Sequence, residues 1–183
     1  MLFRSHLGDK GQFEPWLATS WSTSEDGKTY TFKLRDDVTF SDGTPFTAQV
    51  VKANFDALLD NVNRHSWLES IRLMAEVEKS GKDAIRVIDD HTVEIEFADS
   101  YYPFLVELGV TRPFRFLSPK CFKEGTTKNG TQCMVGTGSY VLTNNVVDQA
   151  ATFERNKQYW GEKPQIDKIV AKVIPDKIGR AHV

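Results

Sequence analysis

The chain has 183 residues, 40% of them hydrophobic and 26% charged, which suits a globular polypeptide with one sizeable core. A formal net charge of -2 and no basic stripe leave nothing for nucleic acid or an anionic membrane surface to grip. No apolar run approaches the roughly 20 residues that span a bilayer, and no signal peptide is visible after Met1.

Both ends read as foreign. Reverse translation of Met1 to Ser5 and of Ile178 to Val183 gives codons that match common sequencing-library adapters. Residues 1–5 and 178–183 are therefore expected to be non-native and are set aside, leaving 6–177 as one partial domain. The missing leader then assigns no compartment.

Trp16 to Ser24 reads as an extended segment, and Glu25-Asp26-Gly27-Lys28 supplies turn chemistry. Tyr30, Phe32 and Leu34 alternate with Thr31, Lys33 and Arg35, so the pair predicts a β-hairpin. Ser41-Asp42-Gly43-Thr44-Pro45 is a second turn. Thr47 is placed to cap a helix from Ala48 to about Asp60, with Val51, Phe55, Leu58 and Leu59 on one face. A second, less regular helix is expected over Trp67 to Val77. Ile85 and Val87, then Val93, Ile95 and Phe97, alternate on either side of Asp89-Asp90 and predict another hairpin.

Tyr102 to Leu108 reads as a short apolar helix. Val110 to Phe116 reads as extended, because Pro113 turns Arg112 away from helical geometry. Cys121 to Met134 is polar and reads as loop. Gly136-Thr137-Gly138 precedes Tyr140-Val141-Leu142. It is no phosphate loop, since no lysine follows, and its glycines are expected to permit a tight approach to a strand. Phe153, and then Ile169, Ala171 and Val173, suggest two more strands. Hairpins with helices between them give a mixed α/β class, not a regular βαβ repeat.

Cys121 and Cys133 close a short loop if they pair, a bridge of about 3 kcal/mol in the chain-entropy model. Free thiols fit the sequence equally well, and the spacing matches no zinc pattern. Asn129-Gly130-Thr131 fits a glycosylation acceptor only as a bare tripeptide.

Three stretches together resemble the solute-binding proteins of family 5, the group of ABC importers that takes peptides, nickel and opines. They are PWLATSWSTSEDGKTYTFKLRDDVTFSDGTPFTAQVVKANF (Pro15 to Phe55), VGTGSYVL (Val135 to Leu142) and FERNKQYWGEKPQIDKI (Phe153 to Ile169). RHSWLE (Arg64 to Glu69) and YYPFLVELGVTRPFRF (Tyr101 to Phe116) are similar to the nickel-binding branch. The resemblance implies a mixed α/β lobe of a class II, cluster C periplasmic-binding-protein-like fold, truncated at both ends. It implies an extracytoplasmic binding component, periplasmic or lipid-anchored, that captures nickel or a related metal as a chelate with a small carboxylate ligand. No cofactor, a membrane permease as partner and a monomeric state go with it. By the same resemblance Arg64, Trp67 and Arg112 line the ligand cleft, while any direct protein ligand to the metal comes from the second half of such proteins.

The residues themselves permit that reading without requiring it. Arg112 stands between Val110 and Pro113-Phe114, in a segment suited to burial. A buried guanidinium needs an anion, and its planar fork meets a carboxylate through two parallel hydrogen bonds. A chelator carboxylate or an internal Asp or Glu would serve. Arg64 lies at a junction where arginines also cap helices or stay solvated. Trp67 suits packing on a flat chelate as well as plain core packing. His65 stands without a second ligand at metal spacing and reads as a surface or hydrogen-bonding histidine; His91 reads as turn chemistry. Tyr101 and Tyr102 are further candidates to line the cleft, although tyrosines at a helix start are mostly structural.

Ser66 beside His65 has no third orienting group and no nucleophile elbow, so the sequence reads as a binding module and not an enzyme. A peptide or opine binder of the same family is the nearest alternative. A ligand sensor without transport is the alternative from another class.

Overall fold

The alternation of Tyr30, Phe32 and Leu34 with polar neighbours drives that segment into a strand with one buried face, and the rest of the fold is built on it. The computed structural model describes residues 5–7, 13–59, 82–109 and 115–174. Strands β1 (Ser5–Leu7) and β2 (Phe13–Pro15) pair antiparallel. Strands β3 (Ala18–Thr23) and β4 (Thr29–Leu34) form the expected hairpin, with Trp21 opposite Phe32 and Thr23 opposite Tyr30. Gly27 makes its turn at φ +70°, and the ring of Tyr102 lies 3.0 Å from where a Cβ would sit. A side chain there would be strained at that φ and would press against the ring.

The second expected hairpin is also present. Strands β5 (Ile85–Asp89) and β6 (Thr92–Glu96) join it to the first in the antiparallel order β3-β4-β6-β5. Tyr30, Ile95 and Ile85 form one buried row. His91 and Asp89 do the expected turn work, the His91 N–H donating to Asp89 Oδ1 at 2.8 Å.

Helix α1 (Ala48–Leu59) starts where the cap predicts, with Thr47 Oγ1 accepting from the Val50 N–H at 3.4 Å. Val51 and Phe55 are buried and Leu58 and Leu59 half-buried, and α1 packs over β5 and β6. Helix α2 (Phe104–Glu107) is a single turn. It delivers Phe104 to the centre of an aromatic cluster, 4.9 Å from Tyr30, 4.8 Å from Phe97 and 6.0 Å from Phe32, all edge-to-face. Burying such rings contributes about 1.5–3 kcal/mol each, and their mutual geometry adds about 0.5–1.5 kcal/mol per pair.

Two expectations need correction here. Cys121 to Met134 is not simply loop: strands β7 (Phe122–Lys123) and β8 (Thr126–Thr131) form a small hairpin. Its turn is Glu124-Gly125, both at positive φ, a geometry suited to two-residue hairpins that the polar strand residues conceal in sequence. Nor do Gly136 and Gly138 serve a tight approach. A Cβ would meet nothing closer than 3.9 Å and 3.7 Å respectively, an ordinary contact.

Strands β9 (Tyr140–Val146), β10 (Ala150–Arg155) and β11 (Lys168–Lys172) form a separate antiparallel sheet in the order β9-β10-β11. The architecture is mixed α/β, as the pattern predicts. The expected helix over Trp67 to Val77 lies outside the described residues, and so do residues 110–114 of the expected extended segment. Of the expected non-native ends, Met1 to Arg4 and 178–183 lie outside them too, and Ser5 pairs with Pro15. No helix of the described residues is long and apolar enough to cross a membrane.

Candidate functional site

Arg64 and Trp67 fall within 60–81 and Arg112 within 110–114, so all three candidate ligand residues lie outside the described residues, as do His65 and Ser66. What is described is the scaffold these stretches depart from. Helix α1 hands the chain to 60–81 at Leu59, and Arg115 takes it up again after 110–114.

The two departure points are fastened together by Asn54. Its side-chain amide donates to the Val50 carbonyl at 2.9 Å and the Leu117 carbonyl at 3.0 Å, and its oxygen accepts from the Leu117 N–H at 2.9 Å. Asn54 is itself buried, so these bonds are formed away from competing water. Beside them the ring of Phe116 packs 6.3 Å from Phe55 and 5.4 Å from Phe46.

The same strip is held from below. The Ser118 hydroxyl donates to Asp42 Oδ2 at 2.7 Å, and the Thr44 N–H donates to Asp42 Oδ1 at 2.9 Å. Burial acts to raise the Asp42 carboxyl, but the hydrogen bonds from Ser118 and Thr44 outweigh it and hold the group below the usual carboxylate range. The Ser118 N–H reaches the Val135 carbonyl at 2.9 Å. Cys121 and Cys133 are bridged, which decides the pairing that the sequence leaves open. The bridge pins the β7–β8 hairpin, whose Thr127 hydroxyl donates to the Ala57 carbonyl of α1 at 3.3 Å.

On the α2 side, Leu108 is buried and Gly109 leads into 110–114. The Tyr101 hydroxyl donates to Glu107 Oε1 at 2.7 Å, and the Tyr30 hydroxyl to the Tyr101 carbonyl at 2.9 Å. Burial pushes the Tyr30 phenol up. Tyr102 is 71% exposed and covers Gly27. Tyr101 is thus tied into the core side of α2 by two hydrogen bonds, as its place at a helix start suggests.

One described arginine faces an aromatic ring. The Arg35 guanidinium carbon lies 4.5 Å from the centroid of Trp160, whose ring meets Trp16 edge-on at 5.1 Å. Arg35 Nε and Nη2 donate to Asp37 at 2.8 Å and 2.6 Å, and this pairing holds the Asp37 carboxyl low. A guanidinium already paired to a carboxylate and stacked on indole is spoken for. It joins the end of β4 to the connection between β10 and β11. Among the described residues no three His, Cys, Asp or Glu side chains are grouped so as to hold a metal ion.

Sequence reasoning passes over Asn54 and the Asp42–Ser118 pair. Asn54 does leave a signal, being a polar residue on the apolar face of α1 between Val51 and Phe55. Asp42 leaves none, since an Asp in a turn looks the same whether or not a hydroxyl from 76 residues away reaches it.

Residues 12–182 match the family described as bacterial extracellular solute-binding proteins, family 5 Middle. The chain is 47% identical over 171 residues to the nickel-binding periplasmic protein of Escherichia coli, covering 93% of this chain and 31% of that one. Its structure is similar to that of NikA from Brucella suis in complex with Fe(III)-EDTA, with a TM-score of 0.84 at 43% identity, covering 96% of this chain and 34% of the other. It is also similar to NikZ from Campylobacter jejuni in complex with Ni(L-His), with a TM-score of 0.73 at 26% identity over 98% of this chain and 35% of the other. The chain thus spans about a third of the length of the relatives it matches.

Proposed function

The chain belongs to the bacterial extracellular solute-binding proteins of family 5, and on that premise we propose that it is part of the capture component of an ABC importer whose cargo is nickel, or a related metal, carried as a chelate with a small carboxylate ligand. The observation that carries this reading is the 47% identity to a nickel-binding periplasmic protein across 93% of the chain. Two structural neighbours hold metal chelates of carboxylate ligands, Fe(III)-EDTA in one and Ni(L-His) in the other.

The chemistry asked of the site follows from such a guest. A chelate that carries free or metal-bound carboxylates presents paired oxygens to its host. Arg64 and Arg112 answer with planar donor forks, and Trp67 with a flat apolar surface. Recognition is binding without catalysis. The metal is cargo, released intact, so no nucleophile or general base is called for. Two lobes close on the chelate through a hinge because the closed state makes more contacts with it. The loaded protein then docks, as a monomer outside the cytoplasm, on a membrane permease.

The 183 residues supply one wall of that cleft and are expected to bind chelate weakly by themselves. The test is calorimetry on a hybrid in which this chain replaces the matching third of the E. coli nickel-binding protein. Ni(II) with L-histidine, Fe(III)-EDTA, Ni(II) alone and a dipeptide are titrated in turn. Binding of the chelates in preference to the other two supports the proposal. A hybrid that takes the dipeptide and ignores the chelates returns the protein to the peptide-binding reading.

A further inference from the structure

The Cys121–Cys133 bridge closes the base of a hairpin that has little else to order it. A two-stranded hairpin by itself is marginal in water. Among the described side chains of β7 and β8 only Phe122 is buried, and the turn at Glu124-Gly125 is exposed. Cys121 ends a single 3-10 turn, Pro119–Cys121, and is fully buried, whereas Cys133 is half-buried. Beside the bridge the Gln132 N–H donates to the Cys121 carbonyl at 2.8 Å, and the Cys121 N–H to the Ser118 carbonyl at 2.9 Å.

Both arms of the bridge run into the strip that follows 110–114. Just before Cys121, Ser118 is tied to Asp42 and Leu117 to Asn54. Just after Cys133, the carbonyls of Val135 and Gly136 accept the N–H groups of Ser118 at 2.9 Å and Ser41 at 3.1 Å. Between the two arms, Thr127 reaches the last turn of α1 at the Ala57 carbonyl. The cross-link thus closes a ring of contacts around the place where the chain leaves α1 and returns at Arg115.

We propose that this bridge positions the cargo cleft and makes it thiol-sensitive: closed, it holds the Leu117–Ser118 strip against α1, and opened by a dithiol, it releases that strip and weakens cargo binding. The effect on cargo rests on the reading of the cleft given above, whereas the release of the strip does not. The opening is a thiol–disulfide exchange. A thiolate of the dithiol attacks the sulfur of half-buried Cys133, forming a mixed disulfide and expelling the Cys121 thiolate, which takes up a proton. The second thiol of the reagent, as its thiolate, then displaces Cys133, which is protonated in turn. Two electrons and two protons pass to the cystine, and the reagent leaves as a cyclic disulfide. The chain has two cysteines, so no third thiol diverts the exchange.

A bridge that acted only on the unfolded chain would change stability and leave the native strip unaltered. Amide hydrogen exchange separates the two cases. Reduction of the 183-residue chain with dithiothreitol, below its unfolding midpoint, raises exchange severalfold at Gln132, Ser118 and Leu117. Leu34 and Phe97, whose N–H groups donate to the His91 and Lys28 carbonyls, keep their protection. Reoxidation restores the first three. Loosening confined to Gln132, or none at all, overturns the proposal. Where reduction unfolds the chain outright, the comparison is made in the hybrid described above. Loss of protection at Leu34 and Phe97 there as well overturns it, because the bridge is then a stability element alone.

Cargo binding is measured on variants, so that no cysteine thiol takes nickel itself. In the hybrid, Cys121→Ser with Cys133→Ser weakens binding of Fe(III)-EDTA and of nickel with L-histidine severalfold. Phe104→Leu, which lowers stability within the aromatic cluster, leaves both affinities unchanged. Equal affinity in the two variants overturns the proposal. An unsubstituted hybrid that takes the dipeptide and ignores the chelates defeats the cargo reading alone, and the clamp is then judged on the dipeptide. A hybrid that takes neither leaves the decision to the exchange measurement, which needs no cargo.

Discussion

Asn54 on α1 and Leu117, 63 residues later, are locked by a reciprocal pair of hydrogen bonds, the amide nitrogen to the carbonyl at 3.0 Å and the backbone N–H to the amide oxygen at 2.9 Å. The pair joins the helix that leads towards Arg64 to the strip that follows Arg112. It ties two stretches distant in sequence through one side chain, alongside the packing of Phe116 on Phe55 and the Asp42–Ser118 hydrogen bond.

Replacing Asn54 with Ala strands the backbone groups of Leu117 and removes the bond to Val50. The expected loss is about 2–3 kcal/mol of folding stability. Urea unfolding checks it, and a loss under about 0.5 kcal/mol, the usual range of a surface substitution, shows that water replaces the amide without cost.

Cys121 and Cys133 are 12 residues apart, and their bridge removes freedom chiefly from the unfolded chain. Cys121→Ser with Cys133→Ser is expected to cost about 3 kcal/mol. Reductant lowers the unfolding midpoint of the parent chain and leaves that of the double variant unchanged. Parent and variant with the same midpoint under oxidising conditions would remove the bridge from the stability account.

Asp42 sets a pH dependence whose sign is fixed. Its carboxyl is held below its unfolded value, so the folded state binds fewer protons there. The stability it contributes is complete above the unfolded pKa of about 4 and is lost as pH falls through the lower folded value. Asp42→Asn is therefore less stable than the parent at neutral pH, and its stability falls less steeply with acid below pH of about 4. Denaturant unfolding at a series of pH values measures both slopes, and parallel acid limbs would contradict the assignment.

In the hybrid, Arg64→Ala and Arg112→Ala are each expected to weaken binding of Fe(III)-EDTA and of nickel with L-histidine by about tenfold or more, since a charge-assisted hydrogen bond contributes about 1.5–3 kcal/mol. Circular dichroism should remain that of the parent. Affinity unchanged in both variants would leave the guanidinium groups without a role in the cleft.

Much of the fold was legible because it is written in local patterns. The period of two in Tyr30, Phe32 and Leu34 and in Val93 and Ile95 gives the strands of the larger sheet. Thr47 marks the start of α1 to the residue. The β7–β8 hairpin was missed because Thr126 to Thr131 has no apolar alternation, and its order comes from a positive-φ turn and a disulfide. The candidate ligand residues came from resemblance alone, because a cleft arginine carries no periodicity that marks it apart from a surface one.

By itself the sequence determined the strands and helices that alternate apolar and polar residues, the mixed α/β class and, through its motifs, the family. Only the tertiary structure decided that Cys121 meets Cys133, that Asn54 grips Leu117, and that Asp42 takes the Ser118 hydroxyl. The physical reason is range. Periodicity records whether a residue faces inside or outside within one element, whereas a hydrogen bond across 63 residues depends on which elements the whole chain brings together.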